Sequence, residues 1–86
     1  MTSNDEVVKI LTRWIDHCVA RKLPQREREF WLLRDYAFGD MSPLFYEKNL
    51  EQKNKTLASL DTSKRDVKTV IEALGGKGKT EERDPF

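Results

Sequence analysis

Proline, glycine and one polar turn divide this sequence into four stretches, and each stretch has apolar residues at helical spacing. The helix-ending signals are Leu23-Pro24, Gly39 followed by Ser42-Pro43, Asp61-Thr62-Ser63 and Gly75-Gly76. A residue before proline is pushed out of the helical conformation, and glycine ends helices by adopting a left-handed one. The pattern predicts an all-α fold, a small bundle of about four helices, over residues 1–74.

These signals place the ends of the four helices. The predicted ranges are about Asn4–Lys22, Gln25–Phe38, Pro43–Leu60 and Lys64–Leu74. Ser3 with Glu6, and Ser63 with Asp66, have the three-residue spacing of a capping box, in which two side chains satisfy the free amides at a helix start. The sequence therefore predicts capped starts for the first and fourth helices.

The first and fourth helices each carry one apolar stripe. Residues three and four apart lie on the same side of a helix, so such stripes indicate a face turned to the core. The stripe residues are Val7, Leu11, Trp14, Ile15 and Cys18 in the first helix, and Val67, Val70, Ile71 and Leu74 in the fourth. Both helices are predicted to be core scaffold.

The second helix is apolar around most of its circumference. Phe30, Leu33 and Ala37 form one stripe, whereas Trp31 and Phe38 lie on another. One interpretation is that this second stripe is also core, because large aromatic residues dominate small cores. The other is an exposed pair of aromatic anchors rimmed by charge, as in the energetic centres of protein interfaces.

The third helix has an unusual seam with a lysine in its middle. The spacing resembles a coiled-coil heptad, and the seam residues are Tyr46, Leu50, Lys53, Leu57 and Leu60. The pattern predicts that the centre of this helix is either wet or covered by a partner.

Charge argues against a dedicated nucleic-acid binder. The 86 residues include 16 basic and 15 acidic side chains, for a formal net charge of +1, so no strong field of one sign attracts a polyanion. A basic cluster near the junction of the first two helices keeps a helix-turn-helix type of nucleic-acid association as the alternative: Arg21, Lys22, Arg26 and Arg28.

Catalytic and cofactor motifs are missing from the sequence. His17 is the only histidine and Cys18 the only cysteine, and neighbouring residues point about 100° apart on a helix. Gly78-Lys79-Thr80 resembles the end of a phosphate-binding loop, but Ala73 occupies the position of its first glycine. We predict no enzyme, no catalytic residue, no metal and no cofactor.

Cysteine usage and hydropathy bear on the cellular setting. One cysteine cannot form an internal disulfide, which favours a reducing, cytoplasmic location. The longest apolar run is Phe30–Leu33, far shorter than the ~20 residues that cross a bilayer. No membrane association is predicted.

Residues 75–86 are predicted to form a flexible charged tail. Its last six residues, Glu81-Glu82-Arg83-Asp84-Pro85-Phe86, resemble the acidic tip of bacterial single-stranded-DNA-binding proteins, whose terminal Pro-Phe is bound by partner enzymes. The resemblance covers these six residues only, and Arg83 interrupts the acidic run. Asp-Pro-Phe also resembles short peptides bound by endocytic adaptor appendages. Both resemblances imply that Asp84, Pro85 and Phe86 contact a protein.

The function that we predict from these patterns is a protein–protein interaction module, such as an adaptor, chaperone or regulatory subunit. It would bind a protein partner, or a second copy of itself, through the second and third helices, with help from the tail. The predicted contact residues are Trp31, Phe38, Tyr46, Leu50, Leu57, Asp84, Pro85 and Phe86.

Overall fold

A computed structural model describes residues 4–39 and 43–75 of the chain. Within these ranges the backbone forms four helices and no strand: α1 (Asn4–Arg21), α2 (Pro24–Phe38), α3 (Pro43–Ala58) and α4 (Arg65–Leu74). The all-α prediction is confirmed for the described part of the chain, and each helix ends within two residues of its predicted limit. The tail beyond Gly75 lies outside the described residues.

A tight turn joins α1 to α2. The backbone N–H of Leu23 donates to the carbonyl oxygen of Cys18 at 2.9 Å, a bond that closes the last turn of a helix. Lys22 takes the left-handed conformation that this closure requires, with φ 57°, so α1 ends at Arg21. Pro24 then begins α2, since the first helical position needs no amide hydrogen.

Two glycines end α2 and α4, as the sequence predicts. Gly39 has φ 71° and Gly75 has φ 68°, values that glycine adopts without steric cost. The N–H of Gly39 donates to the carbonyl of Tyr36 at 3.1 Å, and that of Gly75 donates to the carbonyl of Glu72 at 3.3 Å. Each glycine thereby satisfies a carbonyl in the last turn of its helix.

The capping box predicted at Ser63 and Asp66 does not form. Lys64 occupies the N-cap position of α4, and its side chain makes no capping hydrogen bond. Asp66 instead forms an ion pair with Arg13 of α1, with 2.6 Å between Nη2 and Oδ2. A long-range contact between α1 and α4 therefore replaces the predicted local one.

The core consists of the inward stripes of α1, α2 and α4, together with the end of α3 and the turn that follows. Trp14 of α1 packs against Phe30 of α2 with ring centroids 5.2 Å apart. Burial of each large apolar side chain stabilises the fold by roughly 1.5–3 kcal/mol. All residues of the stripes predicted for the first and fourth helices are buried. Among the described residues, the buried apolar ones are Val7, Ile10, Leu11, Trp14, Ile15, Cys18, Phe30, Leu33, Ala37, Leu57, Leu60, Val67, Val70, Ile71 and Leu74.

The outward faces of the helices are largely polar and charged. Within residues 4–39 and 43–75, no helix combines the length and apolarity that crossing a lipid bilayer requires.

Candidate protein-binding surface

Exposed apolar side chains are concentrated in one stretch of the described chain, from the middle of α2 to the first turn of α3. Six large hydrophobic residues among the described ones are exposed, and only Val19 lies elsewhere: the other five are Trp31, Phe38, Leu44, Phe45 and Tyr46. We call these five residues the corner surface. None of the five belongs to the cluster of buried core residues.

Trp31 and Phe38 lie on the outer side of α2 with a cation between them. Their exposed fractions are 42% and 54%, which favours the exposed-anchor interpretation over the core interpretation. The guanidinium carbon of Arg34 lies 5.0 Å from the ring centroid of Trp31 and 5.6 Å from that of Phe38. Such cation–π contacts hold the rings and the cation in a fixed arrangement.

Tyr46 connects the first turn of α3 to α2. Its ring stacks on that of Tyr36 with centroids 5.2 Å apart, and the two hydroxyl oxygens are hydrogen-bonded at 2.9 Å. This hydrogen bond is the main cause of a raised pKa at Tyr46. The stacked pair fixes one edge of the corner surface, while Leu44 and Phe45 of the same turn are exposed.

Lys53 overturns the expectation of a wet centre in α3. Its side chain is buried, with Nζ 4.1 Å from the ring centroid of Tyr36 and 3.3 Å from the carbonyl oxygen of Leu74. The ammonium group donates a hydrogen bond to this last carbonyl of α4, where the helix dipole favours a positive charge. The lysine in the seam is therefore a contact between α3 and α4.

Leu57 is wrongly placed by the sequence analysis among the partner-binding residues. It is fully buried, because the last turn of α3 packs into the core beside Leu60. Leu50 is half-buried. Of the five predicted contact residues in the helices, the structure brings Trp31, Phe38 and Tyr46 to the surface. The predicted tail contacts Asp84, Pro85 and Phe86 lie outside the described residues.

An open groove of about 710 Å³ runs between α2 and α3. Its lining is mostly polar, whereas sites for small molecules are usually lined by apolar side chains. The lining residues are Pro24, Gln25, Arg28, Glu29, Leu32, Lys48, Asn49 and Gln52. The groove lies along the first half of α2 and the middle of α3.

Cys18 and His17 do not form a recognisable reactive site. Cys18 is fully buried, and burial raises the pKa of its thiol above the ordinary 9.0, so the neutral thiol predominates at neutral pH. His17 is half-buried on α1. Across residues 4–39 and 43–75, no group of three or more His, Cys, Asp or Glu side chains is arranged to hold a metal ion.

The basic cluster at the junction of α1 and α2 consists of one arginine that contacts other residues of the fold and three exposed residues. Nη1 of Arg26 lies 3.2 Å from Oε2 of Glu29 and donates to Oγ of Ser59 at 3.1 Å. This arginine therefore joins α2 to the end of α3. Arg21, Lys22 and Arg28 are exposed, and the nucleic-acid alternative stays a prediction.

Three functional candidates were missed by the sequence analysis. Arg34 has a signal in the sequence, because it stands three residues after Trp31 and four before Phe38, the spacing of neighbours on a helix face. Leu44 and Phe45 also have a signal in the sequence. With Tyr46 they are three consecutive apolar residues, which point in different directions on a helix and cannot all face one core.

Comparisons of the chain with protein-family models, with curated proteins and with solved structures give no match.

Proposed function

We propose that this chain is a protein–protein interaction module that binds a protein partner through the corner surface of α2 and α3. An adaptor, chaperone or regulatory subunit would have such a role. The observation that carries the proposal is that, of the six large apolar residues exposed in the described ranges, five lie in one stretch of the chain, Trp31–Tyr46. Exposed apolar side chains gathered in one region mark interaction sites, whereas scattered ones do not.

The residue types support the same proposal. Tryptophan, tyrosine and arginine are enriched among the residues that dominate binding energy at protein interfaces, and the corner surface includes Trp31 and Tyr46, with Arg34 beside Trp31. The cation–π contacts of Arg34 and the stacking of Tyr46 on Tyr36 restrict these side chains before a partner arrives. Restricted side chains lose less entropy on binding.

Two further features belong to the proposal. Asp84, Pro85 and Phe86 provide an auxiliary contact, which a chain ending at Gly76 would lack. A cytoplasmic location agrees with the buried thiol of Cys18, the only cysteine in the chain.

The test compares the proteins retained by immobilised wild-type chain with those retained by single variants. Phe38→Asp and Phe45→Asp place a charge on the corner surface, and Val19→Asp places the same charge on an exposed apolar residue outside it. We expect the same proteins on the wild-type and Val19→Asp chains, and their loss from the other two. Circular dichroism verifies that every variant is folded. Equal retention by all four chains would overturn the proposal.

A further inference from the structure

The outer face of α2 repeats every seven residues. Pro24, Trp31 and Phe38 run along its centre, and all three are exposed. Residues seven apart are displaced by only about 20° around a helix, so the three form a nearly straight line. Two pairs of charged residues flank this line, with Glu27 and Arg34 on one side and Arg28 and Asp35 on the other.

These four charged side chains form no ion pair with any residue in the described part of the chain. The guanidinium carbon of Arg34 lies over the two rings, and a guanidinium group stacked on an aromatic face can still bind a carboxylate through its N–H groups. The Nε atom of Arg34 is buried and has no hydrogen-bond acceptor, an arrangement that costs free energy. The outer face of α2 therefore holds charges that are not satisfied within the described chain.

The charges on this face balance, with two positive and two negative groups. Such a surface has no net field that would select an acidic or a basic partner. It is instead complementary to itself. Suppose that two α2 helices pack antiparallel around a two-fold axis at Trp31. Arg34 stands three residues after this axis and Glu27 stands four residues before it. In the antiparallel arrangement, Arg34 of one copy therefore lies beside Glu27 of the other.

The charged residues on the other flank meet across the axis in the same way. Asp35 stands four residues after Trp31 and Arg28 three residues before it, so this pair also meets across the axis, within about one residue rise of 1.5 Å. Phe38 comes opposite Pro24, since each lies seven residues from Trp31. Every charged group on the face then meets a group of opposite sign.

We infer that the outer face of α2 binds a second copy of this chain in an antiparallel two-fold dimer with the Trp31 side chains at its centre. This inference rests on the proposed function, because it names one partner of the same surface. The opposed macrodipoles of antiparallel helices add to the favourable charge pairing. A single helix pair buries less area than a standard interface, so the dimer is weak and depends on concentration.

Sedimentation equilibrium on the full chain at low salt tests the dimer. The wild type should show a monomer–dimer equilibrium, and Arg34→Glu should weaken the dimer by at least about tenfold because it places like charges together. Adding Glu27→Arg to that variant should restore the wild-type constant. Lys68→Glu changes the charge equally on α4, at an exposed residue, and should leave the dimer unchanged.

Three outcomes would overturn the inference: a wild-type monomer at every concentration, an unaffected Arg34→Glu dimer, or failure of Glu27→Arg to rescue. Rescue by Asp35→Arg in place of Glu27→Arg would indicate a parallel pair and would likewise contradict the antiparallel arrangement. A monomeric wild type that still loses its captured proteins on Phe45→Asp substitution would overturn the dimer and leave the proposed function intact. A wild type that dimerises but captures no other protein would support the dimer and overturn the proposed function.

Discussion

The side-chain ammonium of Lys53 in α3 lies 3.3 Å from the carbonyl oxygen of Leu74, the last residue of α4. The two residues are 21 positions apart in the chain, so the contact ties two helices that follow each other in sequence. It also explains why a lysine occupies a seam that otherwise consists of apolar residues.

Lys53→Met should lower the free energy of unfolding by about 1–2 kcal/mol. The methionine keeps most of the apolar stem but removes the hydrogen bond to Leu74 and the positive charge at the end of α4. Urea unfolding measures the effect. Lys48→Met, at an exposed position of the same helix, serves as the control, and equal stability of the two variants would contradict this role for Lys53.

Leu57→Ala should destabilise the chain by about 2–5 kcal/mol, the usual range for removing a buried leucine side chain. Leu44→Ala should change the free energy of unfolding by no more than about 0.5 kcal/mol, because Leu44 is 67% exposed. Thermal or urea unfolding measures the change in both variants. A small effect at position 57 would mean that Leu57 lies on the surface after all.

The two tryptophans should differ in their access to a dissolved quencher. Trp14 is 4% exposed and Trp31 is 42% exposed. In a Trp31→Phe variant the remaining emission should be blue-shifted and resist quenching by iodide, whereas a Trp14→Phe variant should emit at longer wavelength and be quenched. Dilute protein keeps any dimer dissociated. Similar quenching of the two variants would contradict the exposed position of Trp31.

Stability should depend on the Cys18 thiol at alkaline pH. Burial raises the pKa of this thiol above 9.0, so the unfolded chain loses the proton first. The contribution of the thiol to stability is complete below pH 9.0 and is lost as the pH rises from there through the folded-state pKa. Between about pH 8 and pH 10, the free energy of unfolding measured in urea should fall more for the wild type than for Cys18→Ala. An equal fall in the two proteins would contradict a raised pKa at Cys18.

The sequence alone predicts the helices and most of the core, because local signals determine them. Gly39 and Gly75 end their helices where expected, and the stripe from Val7 to Cys18 is buried as predicted. Spacing along one helix, however, does not reveal which neighbour covers it. The seam of α3 therefore has the correct periodicity, although Leu57 faces the core of its own chain.

Other features of the structure depend on contacts between residues that are distant in sequence. Ser63 and Asp66 have the spacing of a cap, yet Asp66 pairs with Arg13 of α1. Trp31 and Phe38 have one periodicity whether they are buried or exposed, and only the placement of α1 and α3 on other sides of α2 decides between the two. Arg34 and Phe45 could have been added from local spacing, whereas the burial of Lys53 could not.

The most direct measurement of the interaction role is a footprint of the bound partner on this chain. Amide hydrogen exchange is recorded for the free chain and for its complex with a protein captured by the wild type. Protection gained on binding should map to the second half of α2 and the first turn of α3, with the greatest change around Trp31, Phe38 and Phe45. Protection confined to the outer faces of α1 and α4, with those residues unchanged, would contradict the account.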